Sequence, residues 1–439
     1  MEWVLIGLFA LSCLYGVARP YWAVAMIVLV FPIEQLLQAG APSLRTGAFG
    51  NQTINYLVGI VGLGSGFVTL LRGWRPFFGL LNGTLVCISI TLIWATISLL
   101  WSQDRSGGLD MMLASWPYYF LRVLIGSFLI TSIADLRKAL WSLMVLGAVV
   151  AILILANPNF TAQWGRLGIV EGGKMSSNPL ALGELGGILL LCGMLLRERE
   201  TSALIGVIRV TAVIAGLVIA IQSGARGQVF LAVATAAFFF PIAAPFGSAR
   251  SAVIAALGAG TIIVIAMFAA GFLLEGVAAK RFSSDEMLYG QSSFMQRWGN
   301  VQLLYGEWSS RPELMVLGLG YFSFNALSGG EAYSHVVVAD FAFELGLPGL
   351  LLLVWFLIAL FRNGLALFSA AKNSTSDRPA VTSLIALVVY FVLLANKQGD
   401  LWGSTSLFMV ASILGRLVMR VGVTQTNVVE EYSDEPETL

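Results

Sequence analysis

The sequence predicts an all-α protein, a polytopic bundle of about 12–13 transmembrane helices with one long ordered loop outside the membrane. Three observations predict it. Of the 439 residues, 58% are hydrophobic and only 11% charged, against about 25% charged in a soluble domain. The apolar residues fall in blocks of about 18 or more, enough to cross the roughly 30 Å hydrocarbon core as helices. The alternating ten-residue segments of a β-barrel are absent, and isolated strands in lipid leave their backbone groups unsatisfied.

In chain order, spans are expected near residues 3–18, 21–38, 54–71, 83–101, 113–131, 139–156, 179–196, 204–222, 227–245, 251–274, 334–361, 379–396 and 401–419. The first block resembles a signal peptide but lacks a basic leader, and a second block follows at once, so it reads as a retained span. Lysine and arginine sort onto one side, with Arg72, Arg137, Lys138, Arg197, Arg362 and Arg420 among them. The opposite short loops hold only Arg45, Arg105, Arg226 and Lys397. The richer side is therefore cytoplasmic. The chain divides into N-terminal spans (1–158), a second membrane region (159–421) and an acidic tail (422–439) expected to be disordered.

Two longer segments fall on the outer side, Asn157–Asn178 and Glu275–Tyr333. Loops longer than about 12–15 residues are usually functional or disordered. The second carries Trp298, Trp308 and an apolar patch, so order is expected. A net charge of +1 gives no sign of a nucleic-acid partner. Cys13, Cys87 and Cys192 each lie in apolar stretches without metal-ligand spacing, as small buried residues do.

Chemistry concentrates in few residues. His335 is the single histidine, and an imidazole titrating near 6.5 suits general acid–base work. A lone interfacial histidine is by default a surface residue, so it does not stand by itself. Glu344, nine residues on, is expected about 13 Å further along one helix and on its other face. A carboxylate at that depth needs a partner or a function. Arg166, Arg226, Lys280, Arg281 and Arg297 are outer cations that run against the positive-inside bias. Interfacial snorkelling explains any one of them; together they point to an anionic ligand, because arginine's planar fork fits phosphate oxygens. Arg122 lies mid-span and is expected to pair with Glu34 or Glu184.

These pieces resemble the O-antigen ligase and polymerase family of lipid-linked glycan transferases. His335, Glu344, Gly346 and Gly349 match the family's outer-face histidine, the acid nine residues later and the glycines at eleven and fourteen. Ser223 to Gly227 is similar to its Ser-x-x-Arg-Gly element. Arg297, Trp298, Pro312, Gly318, Gly320 and Phe322 follow in type and order, as do Arg166, Gly168, Asn178 and Pro179. The likeness covers roughly residues 160 to 365, and Val336 stands where the family has Asn or Ser.

The resemblance implies glycan transfer from an undecaprenyl-pyrophosphate carrier at the periplasmic face of a bacterial inner membrane. The acceptor would be lipid A core or a growing glycan, with no metal or other cofactor. It implies His335 as the base and Arg226 and Arg297 as stabilisers of the leaving pyrophosphate. Arg166, Lys280 and Arg281 would bind carrier phosphates, and Glu344 would contact substrate or serve structure. A polymerase using the same donor, and a non-catalytic polysaccharide or lipid transporter, are the competing readings. Against the transporter, no internal repeat of broken spans is visible.

Overall fold

A computed structural model describes residues 2–41, 44, 52–73, 77, 79–163, 166–171, 174–175, 177–197, 202–243, 250, 258, 293–331, 333–398, 400–401 and 403–433. Its described residues form a helical bundle. In order come α1 (Glu2–Ala18), α2 (Pro20–Val28), α3 (Val30–Gly40), α4 (Thr53–Leu71) and α5 (Gly83–Ser98). Then α6 (Arg105–Tyr118) runs through a π-helical turn (Tyr119–Ile125) into α7 (Gly126–Leu129). After α8 (Ile133–Ala156) the strands β1 (Phe160–Gln163), β2 (Arg166–Glu171) and β3 (Lys174–Met175) form a small antiparallel sheet in the order β1-β2-β3. Next are α9 (Pro179–Leu195), α10 (Ala203–Gln222) and α11 (Arg226–Ala243). The rest comprises α12 (Ser293–Ser310), α13 (Ser323–Ser328), α14 (Val337–Ala339), a π-helical turn at Asp340–Glu344, α15 (Gly346–Ala371), α16 (Asp377–Gln398) and α17 (Thr405–Ser433).

Among the described residues eight helices are long and apolar enough to cross a membrane, which marks a multi-pass membrane protein. Adding the bent α2–α3 pair and the three shorter apolar helices α1, α5 and α9 gives twelve, each on a span expected from sequence. The thirteenth, 251–274, lies outside the described residues apart from Gly258.

Two expectations change. The second span is broken by a 73° bend between α2 and α3. Pro32 sits just past the break, where its ring excludes the carbonyl of residue 28 and it has no N–H to offer. The span expected from 334 begins instead at Gly346, because residues 334–345 wrap the loop that precedes them. α17 is continuous from Thr405 to Ser433 and so enters the segment expected as the tail.

Helices of the two expected membrane regions share one core. α8 packs on α9 and α10, and α5 packs on α15 and α17. The boundary at 158 therefore divides the chain and not the packing. A second, smaller apolar cluster of Leu304, Leu319, Phe324 and Ala339 sits beside the bundle, beneath α12. Tyr305, Trp308 and Phe343 close it with ring centroids 5.4 to 6.2 Å apart. This cluster fixes the long loop's described part, 293–331; residues 275–292 of the loop expected to be ordered lie outside the described residues.

Candidate functional site

The site is built on the backbone around residues 316–347. Leu319 N–H donates to the Phe343 carbonyl at 2.8 Å, Gly320 N–H to Glu344 at 2.9 Å and Leu347 N–H to Val316 at 2.9 Å. Such close approach needs Gly318 and Gly346, at φ +83° and +66°; a Cβ on Gly318 would fall 2.5 Å from the Gly346 nitrogen. The buried Glu344 carboxylate accepts the amides of Phe324 (2.8 Å) and Phe322 (3.2 Å). Burial pushes its pKa up, and those two amides pull it back. Of the two roles open to Glu344, these bonds supply the structural one: it caps the turn at Phe322, whose φ is +67°. Trp94 and Trp101 lock the unit to the end of α5 by donating to the carbonyls of Leu345 (2.9 Å) and Gly318 (3.1 Å).

His335 lies ahead of this unit and off the helix on which the nine-residue spacing placed it. Its φ is +67°, a left-handed conformation costing a non-glycine residue about 1–3 kcal/mol. Its neighbours hold it there. Buried Ser334 donates to Asp340 Oδ1 at 2.5 Å, Asn300 of α12 donates to the Ser334 carbonyl at 3.3 Å, and Val338 N–H donates to Asn396 of α16 at 3.3 Å. The half-buried imidazole stands edge-on to Tyr333, with centroids 4.5 Å apart. Burial, then the nearby Arg297 charge, lowers its pKa below the ordinary 6.5, and Glu331 opposes them. The ring is thus kept neutral near pH 7, the state a general base requires.

Arg297 reaches this point from α12. It lies three residues before Asn300 on the same helix face, and that face meets the His335 loop through the Asn300 bond. The side chain is half-buried, which lowers its pKa.

Arg226 arrives from the other side. α10 ends at Gln222, and buried Ser223 donates to the Ala220 carbonyl (2.7 Å) and accepts the Ala225 amide (3.3 Å). Gly224 turns the chain at φ +67°, so Arg226 opens α11. Gln228, fully buried, ties this turn to α9 by donating to the Leu180 carbonyl at 3.0 Å. The stem of Lys397 at the end of α16 lies over Gly227, where an added Cβ would be 2.7 Å from Cδ and 2.9 Å from Nζ.

Lys397 is the residue that sequence reasoning missed. Arg297, Arg166 and Arg226 all lie within electrostatic range of it, so three separate sequence elements bring cations toward the end of α16. Arg166 comes there on β2, opposite Gln163. Lys280 and Arg281 lie outside the described residues. Lys397 was visible in the sequence as one of the few outer short-loop cations, but only tertiary packing places it on Gly227.

Beside Tyr333 a cavity of about 220 Å³ runs inward past Asn178 and Asp400 to Arg122, Glu184 and Ser406. Arg122 is buried in its π-helical turn and donates to Ser406 Oγ at 2.6 Å; Ser406 donates to Glu184 Oε1 at 2.9 Å. The guanidinium also lies 4.7 Å from the Phe31 ring centroid. Of its two expected partners, Glu184 is the one engaged, through Ser406, while Glu34 accepts from Gln38 and Asn55. Taken together, a neutral, clamped imidazole has Arg297 near it, Arg297 shares the surroundings of Lys397 with Arg166 and Arg226, and Tyr333, which packs on the imidazole, lines the cavity. That arrangement can take a proton from a hydroxyl and hold a phosphate anion. Neither a family model nor a curated protein matches the chain.

Proposed function

We propose that the protein transfers a glycan from an undecaprenyl-pyrophosphate carrier to an acceptor hydroxyl at the periplasmic face of a bacterial inner membrane. The acceptor is lipid A core or another envelope glycan. The observation that carries this reading is a neutral His335 with Arg297 beside it, Arg297 lying in turn within electrostatic range of Lys397, as Arg166 and Arg226 also do. The positive-inside bias read from sequence supports the outer orientation of that cluster.

In this reading His335 removes the acceptor hydroxyl proton as the oxygen attacks the anomeric carbon. The bond from that carbon to the pyrophosphate oxygen breaks, and undecaprenyl pyrophosphate leaves. Negative charge grows on the leaving phosphate, where fixed arginines stabilise it more than they stabilise the bound donor. Removing one such donor typically costs about 10²–10³-fold in rate. The strained His335 backbone supports a functional role, since conformational cost of this kind persists where the surroundings impose it.

The test is transfer by purified protein from a radiolabelled carrier-linked glycan to lipid A core, with release of undecaprenyl pyrophosphate. Label appearing in lipid A core supports ligation, and label appearing in longer carrier-linked chains means the polymerase. Binding of the donor without any bond cleavage would overturn the enzymatic reading in favour of transport.

A further inference from the structure

At the far end of the bundle lies a larger hollow, of about 430 Å³, unconnected with the His335 chemistry. Along α17 from Thr405 to Arg420 the separation is about 22 Å, at 1.5 Å per residue. Arg19, Arg72, Lys138 and Arg420 line the hollow, with Asp135 the one carboxylate among its lining residues. Four cations less one anion leave a formal charge of +3. Asp135 is already engaged, its Oδ2 accepting the hydroxyls of Thr131 (2.6 Å) and Ser132 (2.9 Å). Beneath the hollow Arg416 is fully buried, donates to the Ser127 carbonyl and lies within electrostatic range of Arg420 and Asp135. Charges of one sign around a low-dielectric wall focus the potential into the cleft.

The surroundings identify the anion's source. Leu63, Phe67 and Leu71 are 50%, 62% and 72% exposed. Spaced by four, they form one stripe along α4, and that stripe runs directly up to Arg72. On the neighbouring α1, Leu11 and Leu14 are likewise exposed. A cationic cup at the end of an apolar track fits a phosphate carried on acyl chains.

We infer that this hollow binds the phosphate of an anionic phospholipid, whose chains lie along α4 and α1. Basic pockets between helix ends are suited to such head groups.

The test is native mass spectrometry of the full chain in detergent, titrated with dioleoylphosphatidylglycerol or dioleoylphosphatidylethanolamine. Phosphatidylglycerol is expected to bind about tenfold more tightly or better, as two or more nearby cations would give. Arg72→Gln with Arg420→Gln should abolish that preference; Arg19→Gln with Lys138→Gln, both exposed positions, should do the same if the first pair folds poorly. Equal binding of the two lipids, or a preference that survives in a folded variant, overturns the site. Displacement of phosphatidylglycerol by inorganic phosphate at equal millimolar concentration overturns the lipid as its ligand. Glycan transfer is not part of the readout, so the result is independent of the proposed function.

Discussion

Gly227→Ala puts a methyl group against the stem of Lys397. The new Cβ would sit 2.7 Å from Cδ and 2.9 Å from Nζ, while ordinary contacts lie at about 3.5–4.0 Å. Cε lies closer still, so the lysine must retreat by more than about 1 Å. Its four-carbon stem can bend, so the fold survives, and alanine in place of glycine in the first turn of α11 favours the helix by up to about 1 kcal/mol. Stability is thus kept while one charge of the cluster moves. A misplacement of about 1 Å in a catalytic constellation costs on the order of 10²-fold. The assay is the transfer rate of purified protein, read beside its thermal unfolding midpoint. Lys397→Ala should lose at least as much activity, and Gly227→Ala added to it should change nothing further, since the two act through one contact. A wild-type rate in Gly227→Ala would refute the placement of Lys397 in the site. So would an undiminished effect of the methyl group once the lysine is gone.

Three further outcomes are expected. Transfer requires neutral His335, whose pKa is lowered, so the rate should rise with pH through a limb below 6.5. Glu331→Gln removes the charge that opposes the lowering and should move that limb further toward acid; a move toward alkali contradicts the assignment. Arg297→Lys should cut transfer by about tenfold or more, because one ammonium cannot replace a bidentate fork, and near-normal rates would count against phosphate binding there. Glu344→Gln can accept only one of the two amides now bound, leaving a buried N–H of Phe322 or Phe324 unpaired. That costs about 1–3 kcal/mol, seen as a lower unfolding midpoint in detergent, and an unchanged midpoint would remove the capping role.

The membrane helices were legible because lipid imposes a length and an apolar composition that block hydropathy records directly. The misplaced start of α15 shows where that signal fails. Val336, Val337, Val338, Phe341 and Phe343 are as apolar as a span, yet Phe343 and Ala339 serve the small cluster beneath α12. Hydropathy cannot separate a buried cap from a buried span. The break at Leu29 had a visible cause in Pro32, but whether a proline kinks or splits a helix is set by its neighbours. The strands at 160–175 are too short to carry an alternating pattern. In the site, the residue types of His335, Arg226 and Arg297 were readable, as was the tight backbone demanded by Gly318 and Gly346. What was not readable was distance. Arg166, Arg226 and Lys397 belong to β2, α11 and α16, and only the packing of those elements brings them together.

His335→Ala, expressed at wild-type level in a strain lacking the native protein, tests the central claim most directly through the envelope glycolipid profile. Loss of glycan-capped lipid with accumulation of carrier-linked glycan is the predicted result. An unchanged profile would contradict it, leaving the histidine a bystander and the cationic cluster without its base.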